Sequence, residues 1–398
     1  MQEKRFIYQF IPPQLEYLTN TDKIKYKGIN LKTDYLISMM NDFFNKYYSH
    51  KDDCIDKENR FNIWSVIFRE KYGTKYNYYV DYLRDKGLIV LISDYYRNKK
   101  ARTYMINPDF LINIKRCKID DNILLKKTSK EFLIKTLVEN NNSTIPLDIR
   151  KKLVEYLYDI ELDVDSSINY LNYLKDTNQI ETRKYFSNLM SVENIGINNM
   201  YFKFDNYGRF HSNFTVLKKH IRENFIKIDG MSIKEVDIKN SQPLFLSVLM
   251  KQEMTLTKFI QKDVTKYIDL VENGLIYEYM IENTDIDDRE KAKEMMYVVM
   301  FGTNGDYRKE NNIFRLLFPT VYEFIKDYKH VNDDYKSLSH RLQLLESDFI
   351  YNKVIRHIIN TYPEMKFFTI HDSIIFPEKY YSGVLQIFNY YKRKILES

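Results

Sequence analysis

The stretch Glu235-Val236-Asp237-Ile238-Lys239-Asn240-Ser241-Gln242-Pro243-Leu244-Phe245-Leu246 decides the fold. It predicts a short apolar strand ending in Asp237, then a polar turn and an apolar helical run from Leu244 to Met250. A carboxylate at the end of an apolar strand is costly to bury unless a cation or hydrogen-bond donors meet it. The stretch therefore raises the question of what meets Asp237.

A second acid stands in a similar setting further along the chain. The run Phe367-Phe368-Thr369-Ile370-His371-Asp372-Ser373-Ile374-Ile375-Phe376 predicts a strand with Asp372 in its middle. If both strands lie in one sheet, about 4.8 Å apart, the two carboxylates can face a pair of Mg²⁺ ions. Two such ions stabilise the attacking and leaving oxygens of phosphoryl transfer, and Mn²⁺ is expected to substitute. Either aspartate alone could simply end a strand and cap a turn, but the pair favours a metal site.

A third motif lies between the two acids. Asp287-Asp288 predicts the start of a helix that runs from Arg289 through Gly302, because acidic residues favour the positive end of a helix. At about 100° per residue, every fourth side chain falls on one slowly winding stripe. That stripe consists of Arg289, Lys293, Tyr297 and Phe301. Its cations match the phosphates of a nucleoside triphosphate and its aromatics match the sugar and base. The alternative is a helix with core aromatics and solvated cations.

The N-terminal part predicts a small module with a basic hairpin. Helices around 63–68 and 76–86 precede strands over 88–92 and 102–106. This order resembles a winged helix, in which the second helix enters a groove and the wing contacts the backbone of nucleic acid. The predicted phosphate contacts on the wing are Arg97, Lys99, Lys100 and Arg102. The alternatives are a module that docks a protein and a small α+β subdomain that only packs. Residues 113–200 predict mainly helices without a chemical motif.

The composition narrows the classes of protein. A chain of 398 residues predicts two or three domains, and 44% hydrophobic residues exclude a disordered chain. No apolar run approaches eighteen residues and no secretory signal is seen, so we expect no membrane contact and a cytoplasmic location, in a bacterial or phage-infected cell. Two cysteines, Cys54 and Cys117, are too few for a disulfide framework or a zinc site. A net charge of +6 is compatible with a nucleic-acid partner but does not establish one.

Taken in order, these motifs resemble the polymerase core of family A, which includes DNA polymerase I and the single-subunit phage-type RNA polymerases. The resemblance covers about residues 185–398. The motifs that carry it are Gly208-Arg209 with downstream Leu217 and Arg222, then Asp237, then Arg289, Lys293, Phe301 and Gly302, and finally His371-Asp372. Gln343 is similar to a glutamine on the helix before the last motif.

The resemblance implies an α+β right-hand fold, with a palm made of an antiparallel sheet, a helical thumb and helical fingers. The expected domains are a winged-helix-like domain over 1–112, a helical thumb or connector over 113–200, and a palm over 201–398 with fingers inserted at about 255–335. It also implies a template-directed nucleotidyltransferase in which Asp237 and Asp372 bind two Mg²⁺ ions. The residues that it implies for primer and template are Arg209, Arg222, Gln343 and His371.

Three departures from the family bear on the substrate. Ser373 follows Asp372 where DNA polymerase I has a second acid, which is similar to the phage RNA polymerases. Gln242 falls where the DNA enzymes have a glutamate that crowds a ribose 2′ hydroxyl, and Phe301 falls where a tyrosine usually helps to select the sugar. We therefore expect relaxed sugar selection, with both dNTPs and NTPs as substrates. No exonuclease-like domain precedes the core, so we expect no proofreading.

The expected enzyme is a compact DNA polymerase of primase-polymerase type, in phage or mobile-element replication. Its partners would be a DNA template, a DNA or RNA primer, and a helicase or single-strand binding protein. The alternatives are a single-subunit DNA-directed RNA polymerase or primase, a template-independent nucleotidyltransferase, and a non-catalytic replication initiator. A hydrolase triad of His371, Asp372 and Ser373 is disfavoured, because adjacent strand residues point to opposite faces.

Overall fold

The computed structural model describes residues 7–49, 60–63, 65–94, 102–110, 114–127, 133–139, 143–303, 305, 307–330 and 335–397. The described chain is mostly helical, with several short sheets. It forms two compact units, one of residues 1–140, 161–202 and 212–226 and the other of residues 141–160, 203–211 and 227–398. The predicted division at residues 112 and 200 stays a prediction.

The first unit is organised around the helix Thr33–Ser49, whose phenylalanines Phe43 and Phe44 are fully buried. The strand Ile7–Ile11 pairs antiparallel with Lys115–Ile119, which lies in a stretch that was predicted to be mainly helical. A three-stranded sheet has the order Arg60–Ile63, Arg102–Ile106, Ile89–Ser93. The remaining elements are the strands Lys23–Tyr26 and Ile29–Lys32 and the helices Pro13–Asn20, Ser65–Tyr72, Tyr76–Asp85, Pro108–Phe110, Asn122–Lys127, Ile134–Glu139, Val164–Asp176, Thr182–Gly196, Asn213–Val216 and Lys219–Phe225.

Two helices and a hairpin occur where the winged-helix-like module was predicted. The hairpin strand Arg102–Ile106 has its predicted bounds. The helical prediction was wrong at Ile63, which ends a strand and pairs with Arg102. The reason is tertiary packing: Phe61 of that strand is buried and its ring lies 5.2 Å from that of Phe43, which holds the segment extended. The wing residues Arg97, Lys99 and Lys100 lie outside the described residues, and the winged-helix identity stays a prediction.

The second unit is built on a three-stranded antiparallel sheet in the order Ile233–Val236, Ser373–Pro377, Phe368–Ile370. The central strand Ser373–Pro377 is buried along its whole length, as its continuous apolar sequence requires. The helices of the unit are Leu147–Leu157, Ser241–Glu253, Leu256–Phe259, Lys262–Glu272, Ile276–Glu282, Arg289–Phe301, Arg308–Leu317, Pro319–His330, Ser337–Ser347, Asp348–Ile355, Arg356–Thr361, Glu378–Tyr380 and Tyr381–Glu397. Four short strands, Ile160–Leu162, Phe202–Phe204, Phe210–Ser212 and Ile226–Ile228, lie where the chain passes from one unit to the other.

The run around Asp372 is a hairpin rather than the single strand that was predicted. Its two strands pair from Ile370 and Ser373 outward, so His371 and Asp372 form the connecting turn. His371 adopts a φ of 54°, in the left-handed region that a two-residue hairpin turn often uses. Neither Gly nor Asn marks this turn, which is why the run reads as one strand in the sequence.

None of the described helices is both long enough and apolar enough to cross a membrane.

Candidate active site

The sheet of the second unit brings the two predicted acids to one end. Val236 pairs with Ile374, so the next position beyond Val236 is Asp237 and the turn residue Asp372 lies two positions before Ile374. Directly opposite and diagonal residues of antiparallel strands lie about 4.5–8 Å apart, which is within reach of one shared ion. The two acidic stretches therefore share one sheet, as the metal-site prediction required.

The surroundings of Asp372 disfavour the ionised form of its carboxyl group. Burial, together with the charges of Glu346 and Asp237, raises the pKa of Asp372 to about 7, although Arg209 opposes them. Asp237 itself is exposed, and the strand before it carries the exposed residues Lys234 and Glu235. The prediction of a buried Asp237 on an apolar strand was therefore wrong, because this strand lies at the edge of the sheet and is exposed at two neighbouring positions. The burial argument applies to Asp372 instead.

A buried carboxylate that was not predicted as a site residue joins several of the motifs. Glu346 is 3% exposed and lies near the end of the helix Ser337–Ser347. It accepts hydrogen bonds from Arg209 Nη2 at 3.1 Å, from Ser241 Oγ at 2.7 Å and from Gln242 Nε2. One side chain thus ties the Gly-Arg motif to the first turn of the helix that follows Asp237.

The next residue of the same helix fixes the Gly-Arg motif a second time. Ser347 Oγ donates a hydrogen bond to the carbonyl oxygen of Gly208 at 2.8 Å. Gly208 has a φ of 81°, and a Cβ atom added there would lie 2.1 Å from Ser347 Oγ. Glycine is therefore required at this position both by the backbone conformation and by the close approach of the helix. The turn holds Arg209 in place for its bond to Glu346.

The predicted helix between the acids is confirmed. It spans Arg289–Phe301, and the side chain of Asp288 caps it by accepting a hydrogen bond from the Lys291 amide at 2.8 Å. The predicted stripe is continuous at its aromatic end: the rings of Tyr297 and Phe301 stack with centroids 5.5 Å apart. At the other end Lys293 Nζ lies 5.9 Å from the centroid of Tyr297.

The aromatic end of the stripe lies within electrostatic reach of the acids. Burial raises the pKa of Tyr297, and the charges of Asp372 and Glu346 raise it further. At the N-terminal end Arg289 forms an ion pair with Glu278 at 3.0 Å. Because the Arg289 guanidinium also lies 5.0 Å from the ring of Tyr277, a triphosphate would compete with these contacts.

The other residues predicted to bind nucleic acid differ in their burial and in their contacts within the protein. Gln343 is half-buried, one helical turn before Glu346. The ring of His371 lies 5.9 Å from that of His211. Arg222 belongs to the first unit, where its guanidinium donates to the Leu217 carbonyl. Arg102 forms an ion pair with Asp94 at 2.9 Å. These contacts lie within the protein and do not test binding to nucleic acid. The assignments of Gln343, His371, Arg222 and Arg102 to nucleic-acid binding therefore stay predictions.

The donor set fits a hard divalent cation held mainly by two carboxylates. Within the part of the chain that is described, no group of three or more His, Cys, Asp or Glu side chains is arranged to hold a metal. Two aspartates suffice for Mg²⁺, which usually keeps several waters and uses one or two carboxylates together with substrate phosphates. A cation between Asp237 and Asp372 would also relieve the repulsion that raises the pKa of Asp372.

A sequence signal for Glu346 did exist. The buried positions Leu338, Leu342 and Glu346 recur every four residues, so the helical period places this acid on the apolar face. A carboxylate on that face needs partners, which predicts donors nearby. The resemblance pointed to Gln343 on the same helix instead, and Glu346 was therefore missed.

No protein-family model matches the chain, and no curated protein matches its sequence. Among solved structures, the chain is similar to the POL domain of Pol1 from M. smegmatis in complex with DNA primer-template and dNTP, with 11% identity and a TM-score of 0.42. The similarity covers 63% of this chain and 67% of that chain. A likeness at this level assigns neither a fold nor a function.

Proposed function

We propose that the chain is a template-directed nucleotidyltransferase of the DNA-polymerase type that uses two Mg²⁺ ions. The observation that carries the proposal is the pairing of Val236 with Ile374, which brings Asp237 and Asp372 to one end of a sheet. The charge of Asp372 also acts on Tyr297 of the cation-bearing helix Arg289–Phe301. A carboxylate pair beside a cationic and aromatic helix face is suited to binding a metal-bound triphosphate.

Each side chain has a distinct role in this proposal. Asp237 and Asp372 hold the ions, which when bound would lower the pKa of a primer 3′ hydroxyl and neutralise charge on the triphosphate. Lys293 and Arg289 meet the phosphates, and Arg289 exchanges its bond to Glu278 for them. Tyr297 and Phe301 present their stacked rings to the sugar and base.

The proposal extends to the architecture that the resemblance implies. The three-stranded sheet would be the palm, and the helices from Leu256–Phe259 to Pro319–His330 would be short fingers that close on the nucleotide. The module around the hairpin that ends in Arg102–Ile106 would dock DNA or a replication partner such as a helicase or single-strand binding protein. A compact enzyme of this type would serve phage or mobile-element replication.

We also propose relaxed sugar selection, based on Gln242 and Phe301. Gln242 is a neutral side chain in the first turn of the helix Ser241–Glu253, and Phe301 lacks the hydroxyl of a tyrosine. Both dNTPs and NTPs would therefore enter the site. A strict preference of about a thousandfold for either sugar, which is about 4 kcal/mol, contradicts this part.

The test offers single-stranded DNA with labelled dNTPs or NTPs, with and without primer, in the presence and absence of Mg²⁺. Template-complementary, Mg²⁺-dependent extension supports the proposal. A homopolymer product would instead identify a template-independent transferase, and unprimed RNA synthesis would identify a primase or RNA polymerase. DNA binding without incorporation under any of these conditions would overturn catalysis and favour a replication initiator.

A further inference from the structure

An ion pair joins the helix Ile276–Glu282 to the helix Arg289–Phe301, which carries the cationic and aromatic stripe. Arg289 Nε donates to Glu278 Oε1 at 3.0 Å, and the guanidinium lies 5.0 Å from the centroid of the Tyr277 ring. Tyr277 is 3% exposed, so its ring is a fixed surface against the cation. Two neighbouring residues of one helix therefore hold Arg289.

The contact between the two charged groups is weak enough to be displaced. It is a single hydrogen bond rather than the two-bond fork that an arginine can form with a carboxylate. Glu278 Oε2 is buried and has no hydrogen-bond partner among the described residues. The side chains are about half exposed, at 52% for Arg289 and 44% for Glu278. Ion pairs of this kind contribute little to stability, so phosphate groups that carry several negative charges can displace the carboxylate.

The two cations of the stripe differ in this respect. Lys293, one turn after Arg289, lies 5.9 Å from the ring of Tyr297 and has no ion pair among the described residues. Arg289 already has a carboxylate at its guanidinium. A triphosphate that reaches Arg289 meets the negative charge of Glu278 at the same cation, and the two anions repel each other. Glu278 therefore opposes nucleotide binding at one end of the stripe.

We propose that Glu278 is a positioning residue that holds Arg289 and competes with the triphosphate for it, so that it sets the affinity of the site for nucleotide. This inference rests on the proposed function and deepens it, because it names an acid that regulates nucleotide binding and product release at that site. The same competition acts on the pyrophosphate product, because Glu278 pairs with Arg289 again as pyrophosphate leaves. Glu278 thus weakens the binding of substrate and of product.

The sign of the effect separates competition from a purely structural role. If Glu278 only fastened two helices together, its loss would loosen the helix Arg289–Phe301 and weaken nucleotide binding. Competition predicts the opposite, because a guanidinium without a carboxylate partner binds phosphates more tightly. An exposed ion pair corresponds to a change in binding of about twofold to fivefold, so the expected effects are of that size.

The experiment first confirms that the wild-type protein extends a primer with dATP or ATP. It then measures the Kd of the nucleotide on a primer blocked by a 3′-dideoxy end, which separates binding from chemistry, and the inhibition constant of pyrophosphate on the open primer. Glu278→Gln keeps the shape of the side chain and removes its charge. We expect both constants to fall about twofold to fivefold. In an Arg289→Ala background, Glu278→Gln should change Kd by less than about twofold, because the cation for which it competes is gone.

The matched control is Glu282→Gln, one turn later on the same helix. Glu282 is exposed and has no ion pair among the described residues, so this variant measures the general effect of net charge and should change either constant by less than about twofold.

If Glu278→Gln does not fold, as judged by circular dichroism, Glu278→Ala is expected to lower both constants in the same way and decides. A protein that extends primers, but whose Glu278 variant binds nucleotide equally or more weakly, would overturn this inference while leaving the proposed function in place. A wild-type protein that incorporates neither dATP nor ATP would overturn both.

Discussion

The guanidinium of Arg209 donates a hydrogen bond to the carboxylate of Glu346 at 3.1 Å, although 137 residues separate them in the chain. The neighbouring residues Gly208 and Ser347 are joined as well, so two adjacent bonds lock one turn against one helix. The positive charge of Arg209 is thereby fixed near Asp372, whose pKa it lowers against the larger effects of burial and of Glu346. Arg209 therefore offsets only part of the effect of burial and of Glu346, which disfavour the ionised form of Asp372.

That imbalance predicts that Asp372→Asn stabilises the metal-free protein at pH 8. The pKa of Asp372 rises from 3.8 to about 7 on folding, so the folded state binds more protons between these values and stability falls as pH rises through this window. The asparagine variant lacks this loss. We expect its free energy of unfolding to exceed that of the wild type by up to about 4 kcal/mol at pH 8, and the difference to shrink toward pH 4. Chemical denaturation without divalent ions, followed by circular dichroism, measures it.

The control for this effect is Asp348→Asn, two residues after Glu346. Asp348 is half-exposed and pairs with Lys353 at 3.4 Å, so its removal should change stability little and without that pH profile. Adding Mg²⁺ should stabilise the wild type more than Asp372→Asn. Equal stability of wild type and Asp372→Asn at pH 8 would show that the carboxylate is not strained.

Loss of either acid should abolish incorporation while DNA binding persists. Asp237→Ala and Asp372→Ala each remove an oxygen ligand from the proposed ion pair, which leaves the triphosphate charge unmet. The matched control is Glu235→Gln, since Glu235 is an exposed acid on the same strand that is not among the proposed ligands. Primer extension and DNA retention on a gel are measured together. Full activity in Asp237→Ala would remove this residue from the catalytic site.

The sheet that supports these residues was largely predictable, and its turn was not. The β-branched and aromatic run from Phe367 predicts extended structure, and most of it is extended. The reversal at His371 depends on one non-glycine residue at a φ of 54°. Such a conformation is set by the pairing of Ile370 with Ser373 and the burial of both flanking strands, which are non-local effects.

The helix at Arg289–Phe301 was predicted closely because its determinants are local: an acidic cap and a four-residue period. The hydrogen bonds of Glu346 could not be predicted in the same way. The helical period places Glu346 on a buried face, but only the folded chain shows that Arg209, Ser241 and Gln242 converge on it. Partners separated by more than a hundred residues leave no spacing rule in the sequence.

The cations of that helix should differ in importance. Lys293 lies on the stripe with Tyr297, whereas Lys291 pairs with Asp287 at 2.7 Å at the start of the helix. We therefore expect Lys293→Ala to lower kcat/KM for the nucleotide by about a hundredfold or more, because a charge on the phosphates is lost. Lys291→Ala is the matched control and should change it by less than about threefold. Steady-state primer extension measures both, and equal losses would argue against a stripe that faces the triphosphate.

The far end of the same helix is held by a buried lysine, which predicts a distinctive pH dependence. Lys329 Nζ donates to the Val299 carbonyl at 2.6 Å and to the Gly302 carbonyl at 2.8 Å, and burial lowers its pKa to about 8. The unfolded chain keeps this proton to about pH 10.5, so between pH 8 and 10.5 the unfolded state binds more protons and stability rises with pH. Lys329→Met keeps the apolar stem and removes the titrating group.

The free energy of unfolding of the wild type minus that of Lys329→Met should therefore increase by up to about 3 kcal/mol from pH 8 to pH 10.5. The absolute effect at pH 7 is small, because the bonds lost to two carbonyls and the relief of a buried charge oppose each other. Other titrating groups are common to both proteins and cancel in the difference. Lys326→Met is the control, since Lys326 lies on the same helix as Lys329, Pro319–His330, but is exposed and pairs with Glu323 at 3.6 Å. The difference in the free energy of unfolding between wild type and Lys326→Met should be flat over this pH range. A flat difference for Lys329→Met as well would mean that Lys329 is solvated, and that the end of the helix at Phe301 is not held by a buried charge.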